Sequence, residues 1–284
     1  MSRRVGVVGL GALGSAIARR LLTSGWPVAG FDVDDAARAA LAAAGGSCAR
    51  SAAGVARMVE GEVLVVVRTG VQFEAAVLGD DGIVTADTPV LVVVMATIGP
   101  SVVRDVAARL PGTVRLLDAP VSGGVARAVD GDLMIMVSGS DATRRDASPL
   151  LEALGRPIVV GAEPGAAQAV KLVNQVVLGT TMTAVAEGVR LARMLGVTEA
   201  VTLDVLRRGT ARSWVADEWE RVGRYWDPNR DAGSLDLIPK DMELALDELR
   251  GAGEAPDGRL LTRVALEQLI TARAAASRAG ADER

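Results

Sequence analysis

The fold is decided by residues 5–14, which read Val5-Gly6-Val7-Val8-Gly9-Leu10-Gly11-Ala12-Leu13-Gly14. A short apolar strand runs directly into a G-x-G-x-x-G turn, and a helix begins there. In such a turn the first glycine permits the tight bend, the second lets the backbone approach a pyrophosphate, and the third lets helix and strand pack closely. Amides at the helix start attract phosphate. The pattern predicts dinucleotide binding by Gly9, Leu10, Gly11, Ala12, Leu13 and Gly14, with an ordinary strand-to-helix turn as the alternative.

An acidic residue ends the next apolar run. Asp32 follows Val28–Phe31 and lies 32 − 14 = 18 residues after Gly14, where a carboxylate bonds the adenosine ribose hydroxyls. Its charge repels a 2′-phosphate, which favours NAD over NADP, although Arg38 leaves NADP possible. The alternative role for Asp32 is to cap the helix that follows.

Working outward, the first part of the chain alternates short β-branched runs with helical stretches. The runs are Val5–Val8, Val28–Phe31, Val63–Val67, Val90–Val94, Val114–Leu117, Leu133–Val137 and Ile158–Val160. They are continuously apolar, which is typical of parallel strands covered on both faces. Strands alternating with helices predict a doubly wound, mostly parallel sheet, that is, an α/β Rossmann domain.

Strand signals cease after Pro164. Ala166–Leu195 predicts one long helix ended by Gly196, too apolar for a surface helix and therefore buried between domains or subunits. Further helices are predicted over Thr198–Arg208, Trp214–Tyr225, Pro239–Arg250 and Arg259–Arg278. We therefore expect an NAD(P)-binding Rossmann domain over residues 1–162 and an all-α domain over residues 163–284, assembled as a homodimer or homotetramer.

Composition excludes several classes of protein. The 284 residues carry a formal net charge of −4, which argues against a nucleic-acid partner. The longest apolar runs fall far short of the ~20 residues that span a bilayer, so no membrane association is expected. A single cysteine, Cys48, fits a reducing cytoplasm. The absence of histidine excludes Ser-His and Cys-His pairs and His-ligated zinc, so no metal site is predicted.

Lysine is nearly absent, although basic residues are common. Of 31 basic residues only Lys171 and Lys240 are lysine, so 31 − 2 = 29 are arginine. Lysine can lose its proton when desolvated, which arginine cannot do. Lys171, Asn174 and Gln175 share one side of the long helix at i, i+3 and i+4. An amine among apolar neighbours can exchange a proton with a substrate oxygen near neutral pH; the alternative is a lysine that extends to solvent.

A second glycine-containing turn follows a strand at Asp118-Ala119-Pro120-Val121-Ser122-Gly123-Gly124. Ser122 and the amides of Gly123 and Gly124 are suited to an anion, such as a substrate carboxylate, at a helix start. The alternative is an ordinary helix start in which Ser122 is the N-cap.

Four motifs occur in a fixed order along almost the whole chain: Gly9–Gly14, Asp118–Gly124 continuing to Gly131–Met136, Gly161–Gly165 with Lys171–Gln175, and Lys240-Asp241. With them the chain resembles the β-hydroxyacid dehydrogenase family, which includes 3-hydroxyisobutyrate dehydrogenase, tartronate semialdehyde reductase and 6-phosphogluconate dehydrogenase. The resemblance implies hydride transfer between NAD or NADP and a small hydroxyacid or semialdehyde.

The resemblance also implies roles for individual residues. Lys171 would be the catalytic acid/base, and Ser122, Gly123 and Gly124 would bind the substrate carboxylate. Asn174 or Gln175 would lie beside the substrate. Lys240 would lie near the nicotinamide, and Thr97 near the cofactor ring.

The chain departs from the family pattern at a few positions. Gln175 stands where many members have asparagine, and Arg68-Thr69 replaces a Leu-Pro-like pair, so Arg68 would add an anion contact or alter cofactor placement. Ser213-Trp214 resembles the corresponding pair in members that act on four-carbon sugar acids.

The aromatic cluster Trp214–Trp226 is interpreted as packing, with a wall of the substrate site as the alternative. Two other functions stay open: an imine reductase-like enzyme and a non-catalytic dinucleotide-binding module.

Overall fold

The computed structural model describes residues 3–59, 61–227, 233–253 and 261–282. The chain divides into two compact units, Met1–Lys171 and Leu172–Arg284. The division falls inside one long helix, so Lys171 ends the first unit and Leu172 begins the second.

The first unit alternates strands with helices, as the β-branched runs predict. Its strands are β1 Val5–Val8, β2 Val28–Phe31, β3 Ser47–Cys48, β4 Glu62–Val65, β5 Val90–Val94, β6 Val114–Asp118, β7 Val121–Ser122, β8 Leu133–Ser138 and β9 Gly155–Gly161. Its helices are α1 Ala12–Thr23, α2 Asp35–Ala43, α3 Ala52–Met58, α4 Gly70–Leu78, α5 Pro100–Ala108, α6 Gly124–Asp130 and α7 Asp141–Leu154, with a 3-10 turn at Ile83–Ala86.

The nine strands form one sheet in the order β3-β2-β1-β4-β5-β6-β8-β7, with β9 paired to β8. Strands β1 to β6 pair in parallel, and β8 is antiparallel to both β6 and β7. The chain orders its parallel strands outward from β1 in both directions, which confirms the doubly wound fold. The two-residue strands β3 and β7 are too short to appear as apolar runs, and the sequence did not predict them.

Each face of the sheet has its own apolar core. Ile17 and Leu21 of α1 pack on one face, and Phe73 and Ile83 pack on the other. Strand β5 is buried along its whole length. The prediction of strands covered on both faces is wrong for β9, where Ile158 and Val159 are 48% and 60% exposed. Their β-branched side chains favour a strand without requiring burial.

The second unit is helical. Helix α8 spans Ala166–Met194 and crosses from the first unit; α9 is Glu199–Arg208, α10 Trp214–Asp217, α11 Trp219–Val222, α12 Ile238–Gly251 and α13 Leu261–Asp282. The helix predicted over Trp214–Tyr225 is instead α10, α11 and a 3-10 turn at Gly223–Trp226. Of the helix predicted over Arg259–Arg278, residues 259 and 260 lie outside the described residues.

Within the single chain, helix α8 is only partly buried. Within the described residues it is the one helix long and apolar enough, by length and composition alone, to cross a membrane, and 39% of its most apolar window is buried. The length of uninterrupted apolar runs did not indicate such a helix, because polar residues interrupt the apolar ones in α8. Buried Gln168, Lys171 and Gln175 are typical of a helix packed in a protein core, since a bilayer disfavours polar side chains.

The aromatic cluster belongs largely to the core of the second unit. Trp219 stacks on Trp226 with ring centroids 5.7 Å apart, and Tyr225 meets Trp226 edge-on at 5.3 Å. The Tyr225 hydroxyl donates to the Leu269 carbonyl oxygen at 3.1 Å. Burial raises the pKa of Tyr225 to about 12, so it stays protonated at physiological pH. Trp214 differs, because 42% of it is exposed. The packing interpretation holds for the buried rings.

We expect Tyr225→Phe to lower the free energy of unfolding by about 1 kcal/mol, because the ring packing stays while the buried hydroxyl bond is lost. Urea denaturation at unchanged m-value measures this difference. Trp214→Phe, at an exposed ring, should change stability by less than about 0.5 kcal/mol. Equal losses in the two variants would contradict the assignment of Tyr225 to the core.

Candidate active site

The glycine-rich turn has the geometry that its sequence predicts. Gly9 has φ +94°, and a Cβ there would lie 2.3 Å from the Val66 carbonyl oxygen. A Cβ on Gly14 would lie 1.9 Å from the Gly9 oxygen, so helix α1 and strand β1 pack too closely for any side chain. Gly11 faces open space, with nothing within 4 Å of a Cβ. The turn is therefore closed on the protein side and open where a pyrophosphate would approach, which fits a dinucleotide.

Asp32 is tied to the same turn. Its Oδ2 accepts from the Leu10 amide at 2.6 Å, and its Oδ1 accepts from the Asp34 amide at 3.0 Å. The N-cap of α2 is Asp34, whose side chain accepts from Ala36, so Asp32 is not the helix cap. Arg38 donates to the Asp32 carbonyl oxygen and pairs with the Asp35 carboxylate. The Arg38 guanidinium is thus already engaged by this acidic segment.

The second turn presents an available hydroxyl. Ser122 ends β7, and α6 is capped by Gly123 with φ +130° rather than by Ser122. Within the described residues the Ser122 hydroxyl forms no hydrogen bond, and the residue is half-buried. Gly124 also has positive φ, +68°. The ordinary-cap alternative for Ser122 is therefore wrong, and the hydroxyl remains available to a ligand.

A buried carboxylate fixes the start of α8. Oδ2 of Asp118, at the end of β6, accepts from the amides of Gly165 and Gln168 at 3.1 and 3.2 Å and from the Ser138 hydroxyl at 3.2 Å. The Ser138 hydroxyl accepts from the Ala167 amide at 3.0 Å. Three of the amides at this helix end are therefore bonded to side chains from the sheet, which meets the need of unpaired helix-start amides.

Burial raises the pKa of the Asp118 carboxyl above its ordinary value. Hydrogen bonds from the side chain and amide of Gln168, from Ser138 and from Gly165 act in the opposite direction. Desolvation is the largest of these effects, because Asp118 is 0% exposed and a buried charge loses its hydration. The positive end of the α8 dipole is a suitable place for this carboxylate.

The Gln168 side chain connects Asp118 to the segment after β5. Its Nε2 donates to Asp118 Oδ1 at 2.7 Å and to the Ala96 carbonyl oxygen at 3.1 Å. Its Oε1 accepts from the Ile98 amide at 3.0 Å. Residues 96 and 98 flank Thr97, so one buried amide holds the backbone on both sides of a predicted cofactor residue.

Lys171 follows Gln168 by one helical turn and is only 5% exposed. The prediction that its amine is largely removed from water agrees with this burial. The alternative, a side chain that extends to solvent, does not.

A second set of contacts lies within the second unit. Asn174 Nδ2 donates to Gln175 Oε1 at 3.1 Å, and Gln175 Nε2 donates to Asp241 Oδ2 at 2.7 Å. Asp241 Oδ1 pairs with Lys240 Nζ at 2.7 Å. Asp241 thus links the predicted cofactor lysine to the two predicted substrate amides. Gln175 is buried, whereas Asn174 is half-buried, so Asn174 is the more accessible of the two.

The predicted residues therefore fall into separate groups. The glycine turn with Asp32, the Thr97 segment with the first turn of α8, and Ser122–Gly124 lie in the first unit. Asn174, Gln175 and Lys240 are joined in the second. Arg68 is exposed after β4, and its amide donates to Gln72 at 2.9 Å. Within the described residues, acidic side chains and Cys48 form no group able to hold a metal ion.

Sequence reasoning missed three polar residues that support these groups: Gln168, Ser138 and Asp241. Gln168 had a detectable signal, because a glutamine one turn before a buried lysine lies on the same side of the helix. Ser138 had none, because its partners are distant in sequence. Asp241 was part of the Lys240-Asp241 motif but was given no role, because its partner Gln175 lies 66 positions away.

We expect Asp118→Asn to reveal the raised pKa of Asp118 through the pH dependence of stability. The folded chain keeps this proton at pH values where the unfolded chain has released it, so wild-type stability falls as pH rises through that window. The Asp118→Asn variant has no titratable carboxyl at this position, so this pH dependence is absent from it. In urea denaturation, the stability advantage of wild type over Asp118→Asn should therefore shrink as the pH rises above about 4, the ordinary pKa of an aspartate carboxyl.

The control is Asp146→Asn, because the exposed Asp146 has a lowered pKa, caused chiefly by the side-chain hydrogen bond from Arg115. For this group the sign reverses: the stability advantage of wild type over Asp146→Asn should grow as the pH rises toward about 4 from below. A wild-type advantage over Asp118→Asn that grows with pH would contradict the account of the buried carboxylate.

Comparison with known families divides the chain near the start of α8. Residues 4–162 match the family described as the NAD binding domain of 6-phosphogluconate dehydrogenase. Residues 165–283 match the NAD-binding domain of NADP-dependent 3-hydroxyisobutyrate dehydrogenase. Together the two matches cover nearly the whole chain.

Individual relatives agree with these matches. The chain is 33% identical over 250 residues to the L-threonate dehydrogenase of Escherichia coli, covering 86% of this chain and 81% of that one. It is 33% identical over 279 residues to the NAD-dependent L-serine dehydrogenase of Pseudomonas aeruginosa, covering 94% and 93%. Among solved structures, the 3-hydroxyisobutyrate dehydrogenase of Mycobacterium tuberculosis with L-serine has a TM-score of 0.81 at 29% identity, covering 96% and 94%.

Proposed function

This chain belongs to the β-hydroxyacid dehydrogenase family of NAD(P)-dependent oxidoreductases, and we propose that it interconverts a three- or four-carbon hydroxyacid and its carbonyl form with Lys171 as general acid/base. The observation that carries the proposal is the burial of Lys171, which is 5% exposed, on a helix whose start is fixed by Asp118.

Lys171 is the proton-transfer group in this proposal. Bound NAD(P) supplies the chemistry of hydride transfer at its nicotinamide ring. In the direction of oxidation, Lys171 Nζ takes the proton of the substrate hydroxyl while the C–O bond becomes a carbonyl. In the direction of reduction, Nζ returns a proton to that oxygen. A lysine suits both directions because, unlike arginine, it exchanges its proton under physiological conditions.

The substrate carboxylate is assigned to the second glycine turn. The available hydroxyl of Ser122 and the backbone of Gly123 and Gly124 offer neutral donors to an anion. Asn174 is assigned to the reacting oxygen, because it is the more accessible amide of the pair. Gln175, held by Asp241, orients Asn174. Asp241 also holds the ammonium of Lys240, which is assigned to the nicotinamide side with Thr97.

The cofactor is held by the turn Gly9, Leu10, Gly11, Ala12, Leu13 and Gly14, with Asp32 at the adenosine ribose. Because the Asp32 carboxylate is anchored by the Leu10 amide, it cannot easily turn away from a 2′-phosphate. Arg38 is already paired with Asp35. We therefore assign NAD as the preferred cofactor and NADP as the weaker one.

Three relatives are named for L-threonate, L-serine and 3-hydroxyisobutyrate. These compounds are small carboxylates that carry a hydroxyl group and differ in what else they carry. This comparison supports a carboxylate and a nearby hydroxyl as the shared recognition elements. Ser213-Trp214, the pair resembling members for four-carbon sugar acids, favours testing threonate-type substrates first.

Assembly and location complete the proposal. Val170, Val173 and Val177 of α8 are 41%, 64% and 58% exposed, and their spacing of three and four residues places them on one side of the helix. An exposed apolar side of this kind suits a second copy of the chain, as in a homodimer or homotetramer.

The exposed thiol of Cys48 suits a reducing cytoplasm. The domain boundary is assigned at 162/163, which places all of α8 in the helical domain.

We expect Lys171→Met to lose about 10²–10⁴-fold in turnover, because it removes the proton-transfer group while keeping side-chain length. Lys171→Arg should lose as much, since it keeps the charge but not the exchangeable proton. Turnover is followed as NAD(P)H absorbance with a panel of three- and four-carbon hydroxyacids and semialdehydes.

Coenzyme binding is the control for both variants, and the NADH dissociation constant should stay within about 3-fold of wild type. Wild-type turnover in Lys171→Met would refute the role of the amine. Wild-type turnover in Lys171→Arg alone would show that charge, and not proton transfer, is required.

We expect wild type to use NAD more efficiently than NADP, and Asp32→Ser to shift the ratio of kcat/KM values toward NADP by about 10-fold or more, because it removes the charge that repels a 2′-phosphate. Asp34→Ser is the matched control: it removes the same charge two residues away while serine still caps α2. A shift of the same size in Asp34→Ser would contradict a specific role for Asp32.

A further inference from the structure

We propose that Gln168 is a positioning residue that holds the Thr97 segment against the helical turn carrying Lys171. This inference rests on the proposed function, because it concerns how the cofactor side and the proton-transfer side of one site are kept together. Gln168 makes no assigned contact with substrate or cofactor.

The geometry of the Gln168 amide carries the inference. Its Oε1 accepts from the Ile98 amide at 3.0 Å, while its Nε2 donates to the Ala96 carbonyl oxygen at 3.1 Å. These backbone groups lie on either side of Thr97. One side chain thus bonds the carbonyl oxygen before Thr97 and the amide after it, as a residue of a neighbouring parallel strand would.

A third bond of the Gln168 side chain connects these two contacts, which we call the Gln168 clamp, to the helix start. Gln168 Nε2 also donates to Asp118 Oδ1 at 2.7 Å, while the Gln168 amide donates to Asp118 Oδ2 at 3.2 Å. Side chain and main chain of one residue are therefore fixed by the same carboxylate. Lys171 lies three residues later in the same helix, so a shift of Gln168 would move Lys171 and Thr97 relative to each other.

Only an amide side chain of this length fits all the partners. Glutamine supplies two N–H donors and one acceptor, and here both donors and the acceptor are used. The residue is 0% exposed, so water cannot replace a lost partner without entering the core. Methionine would fill similar volume with no hydrogen bonds, and asparagine, one carbon shorter, would not span from Asp118 to both neighbours of Thr97.

The chain offers a matched control in Ser138. Its hydroxyl bonds Asp118 and the Ala167 amide, so Ser138→Ala disturbs the same buried helix start. Ser138 has no bond to residues 96–98. The difference between Gln168→Met and Ser138→Ala therefore isolates the contacts around Thr97.

The test measures three quantities in the full-length wild type, Gln168→Met and Ser138→Ala: kcat per NADH-binding site, the NADH dissociation constant, and hydrogen exchange of the Ile98 amide. We expect Gln168→Met to lose about 10–100-fold in kcat per site, the effect of misplacing reacting groups by about 1 Å. NADH affinity should stay within about 3-fold. The Ile98 amide should exchange faster in Gln168→Met than in Ser138→Ala, because its acceptor is gone.

Dividing turnover by the number of NADH-binding sites separates a positioning effect from loss of folded protein. Loss of folded protein would reduce the number of sites and leave kcat per site unchanged. If Gln168→Met does not fold, Gln168→Asn is measured in its place with the same expected results. Equal kcat per site, or equal Ile98 exchange, in the Gln168 and Ser138 variants would overturn the inference. Absence of wild-type turnover with every hydroxyacid would instead contradict the proposed function, and the Ile98 exchange would still decide whether the clamp exists.

Discussion

The carboxylate of Asp118 is the constraint on which the arrangement of the first unit depends. It is fully buried, and it accepts hydrogen bonds from Gly165, Gln168 and Ser138. Burial of a charge without partners would be prohibitively costly, whereas partners supplied by a helix start compensate for much of that cost. The strand that ends at Asp118 therefore determines where α8 begins, and the position of Lys171 follows from that start.

The same principle recurs in the second unit with different residues. Asp241 is nearly buried and is shared by Gln175 and the ammonium of Lys240. The two lysines of a chain otherwise supplied with arginine both lie on helices: Lys171 is buried one turn after Gln168, and Lys240 pairs with the buried Asp241. A compact ammonium fits such places where a planar guanidinium would require more donors to be satisfied.

Local pattern predicted most of the fold. The glycine turn, the order of strands and helices, and the long helix follow from runs and spacings that are readable over a few residues. The failures have physical causes. Ile158 and Val159 have strand propensity without being buried, β3 and β7 are two residues long, and the segment from Trp214 is broken although its composition is helical. The site was predictable where motifs are contiguous, as at Gly9–Gly14. The bonds of Gln168 to Asp118 were not, because they join residues 50 positions apart.

The proposed function requires the Lys171 amine to reach the alcohol of the substrate, which a crystal structure of the chain with NAD and a bound hydroxyacid would show. We expect Lys171 Nζ within about 2.6–3.2 Å of the substrate's carbinol oxygen. A carbinol oxygen bonded to other groups, with Lys171 Nζ directed away from it, would refute the role of Lys171 in proton transfer.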